Sequence, residues 1–292
     1  MPGSVLSSSL SLVGPGRAGS AFARSWLAAG GSLTEVIARD PAPAREAAER
    51  LGGGTPRAIA GPHADCEILA VAVPDDAIAA AARSLAGRLR CRAAFHLSGA
   101  LAASALEPLR PSGASLGSLH PLRVFTGSPD ETWNGAFVAT EGDGEALRVG
   151  EQVVSAIGAR AHRITAEAKP LYHAAATLAA GGTVAVISMA TRAWREAGIP
   201  EEEARPALAA LAESAAAAAV SKDFPEAFTG PIARRDRVTL AAHRDALAGR
   251  ADISEVYSLL ARETLRRTPG RGAEEEIGSH LQVRSSKKDS PP

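Results

Sequence analysis

SLSLVGPGRAGSAFARSWLAAGG, Ser9 to Gly31, is the stretch on which the reading of this chain turns. Gly14, Gly16 and Gly19 stand in it at the spacing G-x-G-x-x-G. With 28 glycines in 292 residues that spacing also arises by chance, so its flanks have to settle its meaning. An apolar, strand-like run precedes Gly14 and an amphipathic helix begins after Gly16. Gly30 and Gly31 stop that helix ahead of a second strand-like run, LTEVIA, at 33–38. Strand, turn, helix, strand is the setting in which this spacing holds a dinucleotide diphosphate. Gly14 allows a sharp exit from the strand, Gly16 lets backbone approach the diphosphate without a Cβ, and Gly19 lets the helix pack close to the sheet. Pro15, Arg17 and Ala18 complete the loop, whose amide hydrogens and helix dipole favour an anion. The alternative is a tight turn with no ligand.

The composition narrows the field. Hydrophobic residues make up 46%, which marks a globular chain, and 292 residues are enough for two domains with cores of their own. Lys plus Arg equals Asp plus Glu at 32 each, so the basic surface needed for general nucleic-acid or anionic-membrane binding is missing and a small-molecule ligand is expected. Cys66 and Cys91 lie in apolar runs without a paired spacing, so neither a disulfide framework nor a metal site is expected, and a reducing cytoplasm fits. No signal peptide is read at the start of the sequence. Leu171 to Ala190 runs 20 residues without a formal charge, but its Ala- and Gly-rich content, broken by His173, Thr177, Thr183 and Ser188, reads as a buried helix and not as a membrane span.

From Val5 to about Thr165, strand-length apolar runs alternate with helical segments, which predicts an α/β domain built on a Rossmann-type parallel sheet over residues 1–165. Strands are expected at Ser9–Val13, Leu33–Ala38, Arg57–Ile59, Ile68–Val73, Ala93–Leu97, Ser115–Leu119, Ala136–Thr140 and Arg160–Ile164. Helices are expected between them near 17–29, 43–51, 76–87 and 145–157. After Lys169 the texture becomes alanine-rich with helical spacing, so 166–268 is expected to be a smaller all-helical domain, and 269–292, polar and ending in SSKKDSPP, a disordered tail.

The end of the second strand, VIARDP, bears on coenzyme choice. Ala38 stands where an NAD-preferring enzyme places an acid, and Arg39 follows, positioned to fork onto a 2′-phosphate. NADP is therefore expected over NAD, although a register shift of two residues would make Asp40 the acid; Asp40 reads equally well as a helix cap. In an open parallel sheet ligands lie across the carboxyl ends of the strands. Val73 and Pro74 are thus expected to wall the coenzyme, and Ser98 and Gly99 to touch the nicotinamide or substrate. Asp75 reads as an N-cap and His96 as a core histidine. His120, before Pro121, is placed to donate a proton or to bind a carboxylate, or else merely orders its own loop. Lys169 and His173, four apart at a helix start, share one face; Lys169 is the first choice for proton donor, His120 the second, and His173 is expected to orient substrate. Tyr172 is expected to pack. In FTGPIARRD, 228–236, Arg234 and Arg235 read as an anion clamp or as solvated surface.

Taken in order, GPGRAG, VPDDAI, HLSGA, GSLHPLRVF, KPLYHAAA and TGPIARRD resemble a bacterial family of Rossmann-like proteins with a helical C-terminal domain, catalogued largely as of unknown function. The resemblance spans Val13 to about Arg266. That family looks like a branch of the group containing ketopantoate reductases, pyrroline-carboxylate reductases, and prephenate and β-hydroxyacid dehydrogenases. The resemblance implies NAD(P) bound at Gly14, Gly16 and Gly19, and a helical domain that completes the site at the interdomain cleft and forms a homodimer. It also implies hydride transfer to or from a small carbonyl, imine or hydroxy acid. Lys169 matches the start of a Lys-x-x-x-Asn arrangement in the hydroxyacid branch, but the fourth residue on is His173, and Gly181 or Gly182 stands where a further Asn is usual. The activity so implied is an NADP-dependent oxidoreductase acting on a small anionic metabolite; a non-catalytic NAD(P)-binding sensor or scaffold is the alternative.

Overall fold

The structure, a computed structural model, describes residues 5–268; the tail expected over 269–292 lies outside the described residues. The chain divides into two compact units between Ala180 and Gly181. This boundary falls later than the expected 165/166, because the first turns of the long helix belong with the sheet.

The first unit is built on an eight-stranded sheet in the order β3-β2-β1-β4-β5-β6-β7-β8. Its strands are β1 (Leu10–Val13), β2 (Leu33–Ala38), β3 (Thr55–Ala58), β4 (Cys66–Val71), β5 (Cys91–His96), β6 (Ser115–Pro121), β7 (Phe137–Gly142) and β8 (Arg160–Arg163). All neighbours pair parallel except β6 and β7, so the expected Rossmann-type parallel sheet carries one antiparallel joint. Strand order reverses between β1 and β4, the switch point at which such sheets bind ligands. Cys66 and Cys91 face each other in register on β4 and β5; both are buried free thiols, which burial pushes up to about 11 and about 12, so neither is reactive near neutrality.

Period-two alternation splits the strands between two cores. Leu10, Leu12, Ile68 and Ala70 meet Phe22 and Trp26 of α1 (Arg17–Ala28) and Val149 and Val153 of α4 (Gly144–Ala156). Val13, Leu69 and Val71 point the other way. There they meet Ile78 and Leu85 of α3 (Asp75–Leu85), and Leu106 and Leu109 of an unforeseen 3-10 helix at Ala103–Ser112. Each such fully buried large side chain contributes about 1.5–3 kcal/mol. Between β2 and β3, α2 (Pro41–Leu51) starts with Pro at its first turn and stops at Gly52 in the left-handed region, the usual asymmetry of a short helix.

The long helix α5 (Lys169–Glu196) is followed by α6 (Glu201–Ser221), α7 (Phe224–Ala227), α8 (Gly230–Ala233), α9 (Arg237–Ala246) and α10 (Ala251–Arg267). The second unit has a small apolar core, Leu240, Ala261 and Leu265 with Ile232 and Tyr257 against it. Ion pairs Arg192–Asp252 and Arg250–Glu196 tie its helices together. Arg235 donates to the Thr268 and Ala233 carbonyls, so it is engaged in holding the backbone and the expectation of an anion clamp does not suit it.

The expectation that Leu171–Ala190 is buried is overturned. α5 is long and apolar enough to cross a membrane by length and composition, and only 6% of its most apolar 18-residue window is buried. Leu178 is 75% exposed, and on α6 Leu211 is 63% and Val220 90% exposed.

Candidate functional site

The glycine loop takes the geometry that its sequence predicts. Gly14 has φ +80°, a left-handed value, and a Cβ on it would lie 2.7 Å from Val73 Cγ1 and 2.9 Å from the Ala72 carbonyl group. Only glycine fits this turn. A Cβ on Gly19 would fall 2.7 Å from both Ala72 Cβ and the Gly14 oxygen, so Gly19 is what lets α1 press against the strand end. Gly16 differs from both, because a Cβ there would meet nothing within 4 Å. No contact among the described residues asks for glycine at that position. Gly16 is the N-cap of α1, whose start no side chain caps, so its first amide hydrogens point outward.

Over this loop lies a cleft of about 300 Å³ lined by Gly14, Pro15, Gly16, Ala38, Ala72, Val73 and Pro74, together with Pro43, Glu46 and Arg50 from one face of α2. It therefore runs from the end of β2, across β1, to the end of β4. Arg39 is exposed beside Ala38. Asp40 occupies the N-cap position of α2 without making a capping bond. Arg50 and Glu46 were not foreseen; their i, i+4 spacing with Pro43 one turn earlier puts them on one helix face, but that this face borders the cleft comes from the packing of α2. Arg17 lies under the tip of the β6–β7 loop, near Gly127. That loop is fastened to α1 by Arg24, which donates to the carbonyls of Ser128 and Glu131, and by Ser25 Oγ, which accepts from Trp133 N.

Beyond β4 the strand ends carry polar side chains. At the end of β5, Ser98 Oγ donates to Asp75 Oδ2 at 2.7 Å and accepts from the amides of Ala100 and Leu101. His96 is fully buried, with Nε2 3.0 Å from the Ala102 carbonyl oxygen, and burial pushes it down to about 4, as suits a core histidine.

At the end of β6, His120 Nδ1 lies 2.9 Å from the Tyr172 hydroxyl, so Tyr172, expected only to pack, is a hydrogen-bonding member of the cluster. The rings of His120 and His173 stand edge to face at 5.5 Å. Gly99 separates them: a Cβ on it would lie 2.5 Å from His173 Nδ1 and 2.8 Å from His120 Nε2. His173 Nδ1 is buried without a hydrogen-bond partner. Burial first, then His173 and the Lys169 charge, push His120 down to about 4, so its ring is neutral at pH 7. Burial raises the Tyr172 phenol above its ordinary value, so it keeps its proton.

The Lys169 side chain is fully enclosed, with Nζ donating to Ser118 Oγ at 2.7 Å and to the Ser98 carbonyl at 3.2 Å, 4.0 Å from Glu141 Oε2. Burial pushes it down to about 8, against the pull of Glu141 and Asp75. In this arrangement the Lys169 ammonium is engaged by Ser118 and Ser98. Among the described residues no group of three or more His, Cys, Asp or Glu side chains is arranged to hold a metal ion.

Residues 136–264, from just before β7 into α10, match a family described as a domain of unknown function (DUF2520). The DUF2520 segment includes Lys169, Tyr172 and His173, while the glycine cleft and His120 precede it. No curated protein matches the chain. Among solved structures, a Thermotoga maritima protein is 23% identical, with TM-score 0.70, over 92% of this chain and 98% of that one. A proposed NADP oxidoreductase from Bacteroides fragilis is 19% identical, with TM-score 0.72, over 90% of this chain and 100% of that one. The reductive aminase of Aspergillus terreus, solved with NADPH and ethyl-5-oxohexanoate, is 19% identical, with TM-score 0.59, over 94% of this chain and 100% of that one. These likenesses establish the fold, a Rossmann-like sheet followed by helices.

Proposed function

We propose that this protein is an NADP-dependent oxidoreductase acting on a small anionic carbonyl, imine or hydroxy-acid metabolite. The observation that carries the reading is the alignment, along one carboxyl edge of the sheet, of a glycine cleft and a cluster of two imidazoles and a phenol. A dinucleotide diphosphate fits the cleft: Gly16 leaves space where any other residue would put a Cβ, and the uncapped start of α1 faces it. The nicotinamide, when bound, supplies or accepts the hydride. Arg39, next to the cleft-lining Ala38, is assigned to the 2′-phosphate, and Arg50 of α2 lines the same cleft. The naming of the Bacteroides protein as an NADP oxidoreductase, and the NADPH in the Aspergillus aminase, support this choice of coenzyme.

The proton belongs to His120. With the Tyr172 hydroxyl donating to Nδ1, the neutral ring carries its hydrogen on Nε2, the atom beside Gly99, from which it passes to the reduced oxygen or nitrogen. Tyr172 holds the tautomer and can return a proton to Nδ1. The unpartnered Nδ1 of His173 is the natural contact for a substrate polar group. Lys169 acts from behind, fixing Ser98 and Ser118. A second copy of this chain is proposed to cover the exposed apolar residues of α5 and α6, giving the homodimer that the family resemblance implies.

Titration of the purified chain with NADPH and NADH, followed by NADPH consumption against a panel of 2-keto acids, imines and aldehydes, tests the reading. NADPH binding with turnover that His120→Gln abolishes is the expected result. Absence of NADPH binding refutes the reading; tight binding with no consumption supports a non-catalytic sensor instead.

A further inference from the structure

We infer that Asp75 senses the oxidation state of the coenzyme: its carboxylate, held by Ser98 at the end of β5, favours the oxidised, cationic nicotinamide over the reduced, neutral one. This rests on the NADP reading above. The cleft runs from Ala38 on β2 over Gly14 and Gly16 on β1 to Val73 and Pro74 after β4. A dinucleotide whose diphosphate sits at Gly16 and whose adenosine lies toward β2 therefore directs its other end past Pro74 toward β5. Asp75 is the next residue in the chain, the first of α3. Both amides at the Ser98 hydroxyl donate to it, so that hydroxyl is left with one hydrogen to give, and it goes to Asp75 Oδ2. The bond fixes the carboxylate as an acceptor while the residue remains exposed. On the far side of Ser98 the Lys169 ammonium is enclosed and turned toward Ser118 and Glu141, so it does not neutralise Asp75 by direct contact. Ser98 is followed by Gly99, which stands against the His120 and His173 rings, so the carboxylate held by Ser98 lies on the side of the cleft that carries that cluster.

The chemistry distinguishes the two coenzyme forms. The oxidised ring carries one positive charge, and arrival of a hydride, a proton with two electrons, cancels it. A carboxylate at the ring attracts the first form and is indifferent to the second. For a pair open to water the expected discrimination is about five-fold in affinity.

The measurement is calorimetric titration of the full chain, wild type and Asp75→Asn, with NADP⁺, NADPH and 2′-phospho-ADP-ribose, which lacks the ring. Asp75→Asn is expected to weaken NADP⁺ binding about five-fold and to leave the other two within error. Asp76→Asn removes a charge from the same exposed helical turn without the Ser98 contact, and is expected to change the NADP⁺ to NADPH ratio less. Thermal unfolding of each variant confirms that it is folded. An unchanged NADP⁺ affinity, an equal loss for NADP⁺ and NADPH, or an equal effect of Asp76→Asn overturns the assignment while leaving the NADP reading intact. Failure of the wild type to bind all three nucleotides overturns both.

Discussion

Replacing Gly16 with alanine separates the ligand's need for glycine from the protein's. The added Cβ meets no atom within 4 Å, and φ at Gly16 is −73°, a value open to any residue. The fold should therefore tolerate the change: exchange at an N-cap position costs about 1 kcal/mol or less, or roughly 2 °C in Tm for a chain of this size. The same methyl would occupy the space in which a diphosphate approaches the start of α1. Displacing that group by even one or two charge-assisted hydrogen bonds, at about 1.5–3 kcal/mol each, weakens NADPH binding ten-fold or more. Gly19→Ala is the contrast, because its Cβ would fall 2.7 Å from Ala72 Cβ and from the Gly14 oxygen, an overpacking of about 1–3 kcal/mol that should lower Tm first. Fluorescence titration with NADPH beside differential scanning calorimetry reads both quantities. A Gly16→Ala protein that binds NADPH as tightly as the wild type would show that the open space over Gly16 is not the diphosphate site.

Arg39→Ser is expected to weaken NADPH about ten-fold and to leave NADH unchanged, since only the 2′-phosphate loses its partner; equal effects on both coenzymes would place the determinant elsewhere. His96 and His120, pushed down to about 4 from 6.5 by burial, stay neutral in the fold while the unfolded chain takes up protons, so their contribution is complete above about pH 6.5 and is lost as pH falls toward 4. Urea unfolding across that window should show stability dropping with acidification, less steeply in His120→Gln. Lys169, down at about 8 from 10.5, works in the alkaline range: the unfolded chain holds its proton longer, so this residue makes the wild type gain stability as pH rises from about 8 to 10.5, and Lys169→Met should lack that gain. Leu178→Asp, on the exposed face of α5, is expected to convert a dimer to a monomer in light scattering; a wild type that is already monomeric would refute the proposed second copy.

Much of the fold was legible from local pattern. All eight strands overlap the spans expected for them, six of them as apolar runs and β3 and β8 as short polar ones, and the three glycines announce three separate features, a left-handed turn at Gly14, open space at Gly16 and close packing at Gly19. These are properties of a short segment and its immediate flanks, so a linear reading reaches them. The reversed direction of β7 was out of reach, because a strand's own residues do not name its partner. Spacing along α5 places Lys169 and Tyr172 near one end of a helix without saying what stands opposite them. Only the pairing of that turn with the ends of β5 and β6 puts the Tyr172 hydroxyl on His120 and closes Ser98, Ser118 and Glu141 around the ammonium. The apolar face of α5 shows the same divide. Composition establishes that such a face avoids water, and the three-dimensional arrangement establishes that the described residues leave it uncovered, because burial depends on neighbours that arrive from distant sequence or from another molecule.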